Sequence, residues 1–369
     1  MRPEQKPSLR PATVARGHVA PWIASLCTAA AFVVFAGCGG GSGSPSGGGG
    51  SGGDGTVWVL QGTFLEALDT ATGETSVGAP VLSWPNVPSC GGRVTTMVPS
   101  NGKVWLGCND GNVVVVDRET GEGSLIEIED SSSSYGVDTI AVSAGFAYIG
   151  PSIGPTAGYD LVKIDAATLA VSRKKQIAQV HWGYDGILAD SEAVWVITDN
   201  DYHLLKIDPG TLEVLNDITL PGVNPYYAGM LQVGNKIWMI DDNNDRYPLW
   251  SVDKSGVSLQ PTQAAELDDF IEEGDIYANL TTNQEDIFIL LCNDDAFNRV
   301  LRLDGATGQH TRTYDIGTGD NCGPIAVSSK KMYIQSPTRV LDVLQIDLDS
   351  GETTATFSQG NAVKLLAVE

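Results

Sequence analysis

The chain has little positive charge and little histidine. Its 22 Lys and Arg stand against 45 Asp and Glu, with four His and a formal net charge of −23. A surface of that sign repels phosphates and anionic headgroups, which argues against nucleic acid or a bare anionic bilayer as partner. Scarce His leaves little material for a His-built metal centre. The longest apolar stretch, Trp22 to Ala36, has 15 residues, whereas a membrane-spanning helix needs about 20. A Ser nucleophile motif, a P-loop and a dinucleotide fingerprint are all missing. Cysteines number six, and none of their spacings resembles a zinc site.

What is present begins at the N-terminus. Arg2, Lys6, Arg10 and Arg16 precede the apolar stretch, which ends in Phe35-Ala36-Gly37-Cys38. A basic front followed by a short apolar run is the layout of an export signal. Small residues directly before a Cys resemble a bacterial lipobox, in which that Cys is diacylated. Residues 1–37 are therefore expected to be a lipoprotein signal peptide, with Cys38 the lipidation site. Residues 38–55 are nearly all Gly and Ser. They cannot bury apolar surface and read as a flexible tether. The expected location is the bacterial cell envelope, with the protein exported and lipid-anchored. Gly39 after the Cys, rather than Asp, resembles lipoproteins sent to the outer membrane of Gram-negative hosts.

Residues 56–369 repeat. A short apolar run with an aromatic second residue recurs at Trp58, Trp105, Tyr148, Trp195, Trp238, Phe288 and Tyr333, spaced 47, 43, 47, 43, 50 and 45 apart. A second run ends in Asp69, Asp117, Asp165, Asp208, Asp253, Asp304 and Asp347. Two independent markers keep one period. Four short strands per period of 40–50 residues is the signature of a β-propeller. The predicted fold is all-β: one seven-bladed propeller of four-stranded blades.

One unit shows how this works. Val94–Val98, Val104–Gly107, Val113–Val116 and Ser124–Ile128 read as strands A to D, because β-branched and aromatic runs are bounded by Gly, Asn, Asp and Pro. Asn101-Gly102 is a hairpin turn, since both residues tolerate positive φ. The Asp-x-x-Thr-Gly segments, such as 117–121 and 304–308, are turns in which Asp accepts backbone N–H bonds and Gly supplies the left-handed residue. The strand-B aromatics are expected to fill the wedges between blades. The first unit opens with strand B and the chain ends in a strand-A pattern, Val363 to Val368. The C-terminal strand should therefore complete the first blade and leave no free edge. Cys90, Cys108, Cys292 and Cys322 allow three pairings. Their repeat phase favours Cys90–Cys108 and Cys292–Cys322, in an export compartment that permits disulfides.

The pattern x-V-W-V … L-x-x-I-D-x-x-T-G-E resembles YncE-like (YVTN-type) and quinoprotein-like propellers across residues 56–369. The Thr-Gly turns are followed by Glu74-Thr75-Ser76 and Glu122-Gly123-Ser124, without the Trp common in quinoprotein dehydrogenases. The resemblance therefore implies the fold and no quinone cofactor. A lipid anchor joined to such repeats also resembles the propeller lipoproteins of the outer-membrane β-barrel assembly machinery, which implies a scaffold role.

Propeller ligands sit at one mouth of the channel, on the D-to-A and B-to-C connections. The D-to-A set offers Arg93, Tyr135, Asp138, Trp182, Tyr184, Asp185, Tyr226, Tyr227 and Tyr277. Aromatic faces with polar tips beside carboxylates suit a partner protein or a glycan. A monomeric binding module held at the membrane by its lipid is the expected function. The alternative is a metal-dependent lactonase- or lyase-like enzyme using His181, His203, Asp199 and Asp201. Asp241, Asn243 and Asp245 alternate like Ca²⁺ ligands, although Arg246 and Val252 replace the Gly and Glu of an EF-hand.

Overall fold

The computed structural model describes residues 56–61, 64–69, 82–83, 90, 94–128, 136–151, 159–178, 184–198, 203–220, 227–241, 248–256, 259–265, 267, 270, 276–293, 297–319, 323–339, 342–358 and 363–368. They form 28 strands in seven antiparallel four-stranded sheets. No helix among the described residues is long and apolar enough to cross a membrane.

Blade 1 contains β1 (Thr56–Gln61), β2 (Phe64–Asp69) and β3 (Leu82–Ser83). Blade 2 is β4 (Val94–Ser100), β5 (Lys103–Cys108), β6 (Asn112–Asp117) and β7 (Gly123–Glu127). Blade 3 is β8 (Val137–Ser143), β9 (Phe146–Pro151), β10 (Tyr159–Asp165) and β11 (Val171–Ala178). Blade 4 is β12 (Tyr184–Ala189), β13 (Val194–Thr198), β14 (His203–Ile207) and β15 (Val214–Thr219). Blade 5 is β16 (Tyr227–Val233), β17 (Lys236–Asp241), β18 (Leu249–Asp253) and β19 (Thr262–Ala265). Blade 6 is β20 (Ile276–Thr282), β21 (Asp286–Cys292), β22 (Phe297–Asp304) and β23 (His310–Thr318). Blade 7 is β24 (Ile325–Val327), β25 (Lys331–Gln335), β26 (Asp342–Asp347) and β27 (Thr353–Ser358). The last strand, β28 (Val363–Val368), pairs with β1, Val57 opposite Val368 and Leu60 opposite Leu365. The C-terminal strand thus completes blade 1, as its sequence predicts.

Inner strands touch in the order β28, β4, β8, β12, β16, β20, β24 and back to β28. The ring is closed, and its core is a set of wedges rather than one central body. The described residues form seven separate buried clusters, and each joins two neighbouring blades. Every strand-B aromatic sits in the cluster between its own blade and the next one. Trp58 packs with Met97 and Val104 of blade 2. Trp105 packs with Ile140 and Ile149 of blade 3. Tyr148 lies with Val194 and Leu212, Trp195 with Met230 and Ile237, and Trp238 with Leu280 and Ile287. Phe288 packs on Ile325, and Tyr333 on Val57 and Leu366, which closes the circle. All seven are 2% exposed or less. Burying one aromatic removes 150–250 Å² from water, so these residues dominate the hydrophobic holding of blade to blade.

Polar reach reinforces the wedges. Tyr148 Oη donates to the Pro209 carbonyl at 3.2 Å, and Lys163 Nζ donates to the same oxygen at 2.8 Å. Burial, then the Asp208 carboxylate, push the Tyr148 hydroxyl up to about 12, so it remains a donor. Trp238 Nε1 donates to Gly305 O at 3.1 Å, and Lys236 Nζ to Ala306 O at 2.5 Å. Tyr314 Oη and the Arg312 guanidinium bond the carbonyls of Leu348 and Ser350. Each time a ring and a cation of one blade grip the C–D turn of the next. The cations also lie over rings: Lys206 over Trp195 at 5.2 Å and Lys236 over Trp238 at 5.2 Å.

The C–D turns of blades 2, 3, 6 and 7 are built alike. Asp117 Oδ1 accepts from the amides of Glu119 and Thr120 and from the Thr120 hydroxyl. Asp165, Asp304 and Asp347 repeat this pattern. The fifth residue has positive φ: Gly121 70°, Gly308 76° and Gly351 80°. The second residue's amide donates to the A–B turn of its own blade, as in Arg118 to Gly102 O at 2.8 Å and Leu348 to Lys330 O at 2.9 Å. A–B and C–D turns therefore share one rim, here called the turn rim. B–C and D–A connections share the other.

Candidate functional site

The two rims differ in where their β-bulges fall. At the turn rim they lie on outer strands, skipping Ser172, Leu215, Thr311 and Thr354, whereas at the rim of long connections they also lie on the inner strands around the mouth. Six of the seven inner strands have a one-residue β-bulge at their first residues. The register skips Thr95 in β4, Asp138 in β8, Asp185 in β12, Ala228 in β16, Ala278 in β20 and Lys364 in β28. A bulge re-aims the chain and increases its local twist, and bulges gather at rims and beside sites. Here they form a circle at one mouth of the ring.

The predicted site residues divide between these strands and the connections before them. Asp138 and Asp185 are the bulged residues of the neighbouring blades 3 and 4. Tyr184 and Tyr227 pair with Thr198 and Asp241 immediately before the bulges of blades 4 and 5. Tyr277 stands in the same place in blade 6, opposite Leu291. The structure thus puts five residues read as connection residues into the inner strands themselves, at equivalent steps of consecutive blades. Arg93, Tyr135, His181, Trp182, Asp199, Asp201, Tyr226, Asn243 and Asp245 lie outside the described residues, as do Cys38 and Cys322.

His203 begins β14, and its Nδ1 pairs with the Asp217 carboxylate on the outer strand β15. Its amide donates to Thr198 Oγ1 at 3.2 Å, which ties the start of β14 to the end of β13. Asp241 is buried at the end of β17, and its amide donates to Pro248 O at 3.1 Å. Among the described residues no group of three or more His, Cys, Asp or Glu is placed to hold a metal ion.

Two further details come from close packing at this mouth. The Thr95 hydroxyl is shared between the carbonyls of Gly107 (3.1 Å) and Val137 and so links blades 2 and 3. A Cβ on Gly107 would stand 2.7 Å from Val137 O, so only Gly lets these strands approach. Thr139 Oγ1 and Asn279 Oδ1, each one residue past a bulge, are buried and have no hydrogen-bond partner among the described residues. Sequence reasoning missed the bulges because they carry no composition signal. Their sequences, Val-Thr-Thr-Met, Tyr-Asp-Gly-Ile and Tyr-Ala-Asn-Leu, align only once the register is known.

A disulfide links Cys90 to Cys108 at this rim, as the repeat phase predicts. Cys292 is disulfide-bonded as well. Cys108 and Cys292 end the equivalent strands β5 and β21, so both bonds fasten a strand B at the same rim.

No protein-family model matches the chain, and no curated protein matches it. Solved structures do. A functionally unknown protein from Desulfotomaculum acetoxidans is 9% identical, with a TM-score of 0.59, over 85% of this chain and 98% of that one. AztD from Citrobacter koseri is 11% identical, with a TM-score of 0.53, over 85% and 97%. BamB from Moraxella catarrhalis is 12% identical, with a TM-score of 0.51, over 86% of each chain. Identities this low show a shared fold alone. The chain is a seven-bladed β-propeller, and BamB and AztD are among the propellers that it resembles in structure.

Proposed function

We propose that the chain is an exported lipoprotein, anchored through Cys38, whose propeller binds a partner protein or glycan at the rim of long connections. The observation that carries this reading is the circle of bulges, with Tyr184, Tyr227 and Tyr277 before the bulge in three consecutive blades and Asp138 and Asp185 at it in two. Tyrosine supplies flat apolar area with a polar tip at low entropic cost, and carboxylates add directional acceptors. On the turn rim, by contrast, the C–D turns of blades 2, 3, 6 and 7 repeat one Asp-bonded design. Propeller neighbours such as BamB and AztD fit a binding module, and the repeat pattern supports a YncE-like relationship. Affinity purification from cross-linked host membranes, read by mass spectrometry, tests the reading. A stoichiometric partner should be recovered with the wild type and lost with Trp182→Ala plus Tyr227→Ala, at unchanged thermal stability. Undiminished recovery with the double variant overturns the choice of rim.

A further inference from the structure

We infer that the turn rim is the membrane-facing end of the propeller and that the rim of long connections is presented away from the bilayer, toward partners that approach from solution. The inference rests on the anchoring at Cys38 proposed above.

The chain enters the fold at Thr56, which pairs with Asp69 at the end of β2, where the C–D connection of blade 1 begins. Arg118, in the C–D turn of blade 2, donates to Thr56 Oγ1 at 2.5 Å. Val57 pairs with Val368. Both ends of the propeller therefore lie at the turn rim, next to each other. The 18 residues from Cys38 to Gly55 leave the fold from this rim and from no other.

Length decides what such a tether permits. A Gly/Ser chain of that length has an r.m.s. reach of about 20–25 Å and a contour of about 60 Å. To lay the opposite rim on the bilayer, the tether must cross the outer strands and climb the full strand height, a path of about 30 Å or more. That path exceeds the relaxed reach and costs chain entropy. With the turn rim facing the membrane, the tether stays relaxed.

Charge works against close contact and keeps this rim from adhering, while the tether still sets which rim is nearer. Glu119, Glu192, Glu285 and Glu352 are exposed on the turn rim beside the Asp turns. Like charge holds this face off anionic headgroups over a Debye length of about 8 Å at physiological salt. The turn rim is thus nearest the membrane but not adherent to it.

The test uses the mature lipidated protein on vesicles of phosphatidylethanolamine and phosphatidylglycerol that carry a headgroup quencher. A fluorescent amino acid is placed at Ser350 on the turn rim or at Phe297, which is 56% exposed at the other rim. The expected result is at least twofold stronger quenching at 350 than at 297. Equal quenching, or stronger quenching at 297, overturns the inference. Mass analysis of the Cys38 peptide separates this from the anchor itself. If the native peptide proves unacylated, the anchoring reading fails. The same two probes on a chain coupled to a maleimide lipid at Cys38 then still decide the orientation.

Discussion

Leucine occupies the left-handed position in the C–D turns of blades 3 and 4, where three other blades use glycine. Leu169 has φ 60° and Leu212 has φ 58°. For a residue with a side chain this conformation costs about 1–2 kcal/mol. Leu212 recovers more than that, because it is fully buried against Tyr148, Val194 and Ile207, and emptying such a site costs about 2–5 kcal/mol. Leu212→Gly is therefore expected to destabilise by about 1–3 kcal/mol, the difference of these two effects, read as a lowered urea midpoint. Two glycines of the blade 6 turn are required on different grounds. Gly308 is needed both for its φ of 76° and for space, since a Cβ there would stand 2.8 Å from Trp238 Cη2. Gly305 is needed for space: a Cβ there would stand 2.2 Å from Glu285 O and 2.4 Å from Val233 Cγ1. Gly305→Ala should cost about 1–3 kcal/mol or more through overpacking, and an unchanged unfolding midpoint would contradict this account.

At the scale of the element, the Asp turns make stability depend on pH. The backbone amide of Thr120 holds the Asp117 carboxyl below its ordinary range, and Thr168, Thr211 and Ser350 do the same for Asp165, Asp208 and Asp347. For Asp304 the Thr307 hydroxyl leads, and for Asp253 the Ser255 hydroxyl. A carboxyl that is more acidic folded than unfolded binds fewer protons in the folded state. Its contribution is complete above the unfolded value near 3.9 and is lost as pH falls through the depressed folded values. The urea midpoint should hold from neutrality to about pH 5 and drop below about pH 4, and replacing several of these Asp by Asn should flatten that drop. The period, the strands, these turns and the closing strand were all legible in the sequence, because each rests on local chemistry repeated seven times. For blade 2 the predicted strands 94–98, 104–107 and 113–116 fall inside the observed β4, β5 and β6. The bulges and the bonds from Tyr148, Trp238 and Arg312 to the next blade were not legible. They depend on register and on the distance between blades, which no local pattern encodes.

For the whole molecule, seven wedges of one design mean that stability is a sum of neighbour contacts, each blade held by the two beside it. Closure makes the sum cooperative, because an opened ring exposes two unpaired faces. Deleting residues 363–368 removes β28, uncovers the edge of β1 and takes Leu366 out of the wedge that Tyr333 fills. That truncation should abolish cooperative unfolding and promote aggregation through the bare edge. A truncated chain that melts as sharply as the full one would refute ring closure as the source of cooperativity. The position of the chain ends has a different consequence. Thr56 and Val368 flank a gap that, in the other blades, is an ordinary A–B turn such as Asn101-Gly102. A two-residue Asn-Gly splice across that gap, with new ends cut at residues 101 and 102, should give a circular permutant with the same seven blades and the same mouth. In that permutant the segment that precedes the ring would join it at blade 2, so under the anchoring proposed above the protein would be turned about its axis without altering any blade.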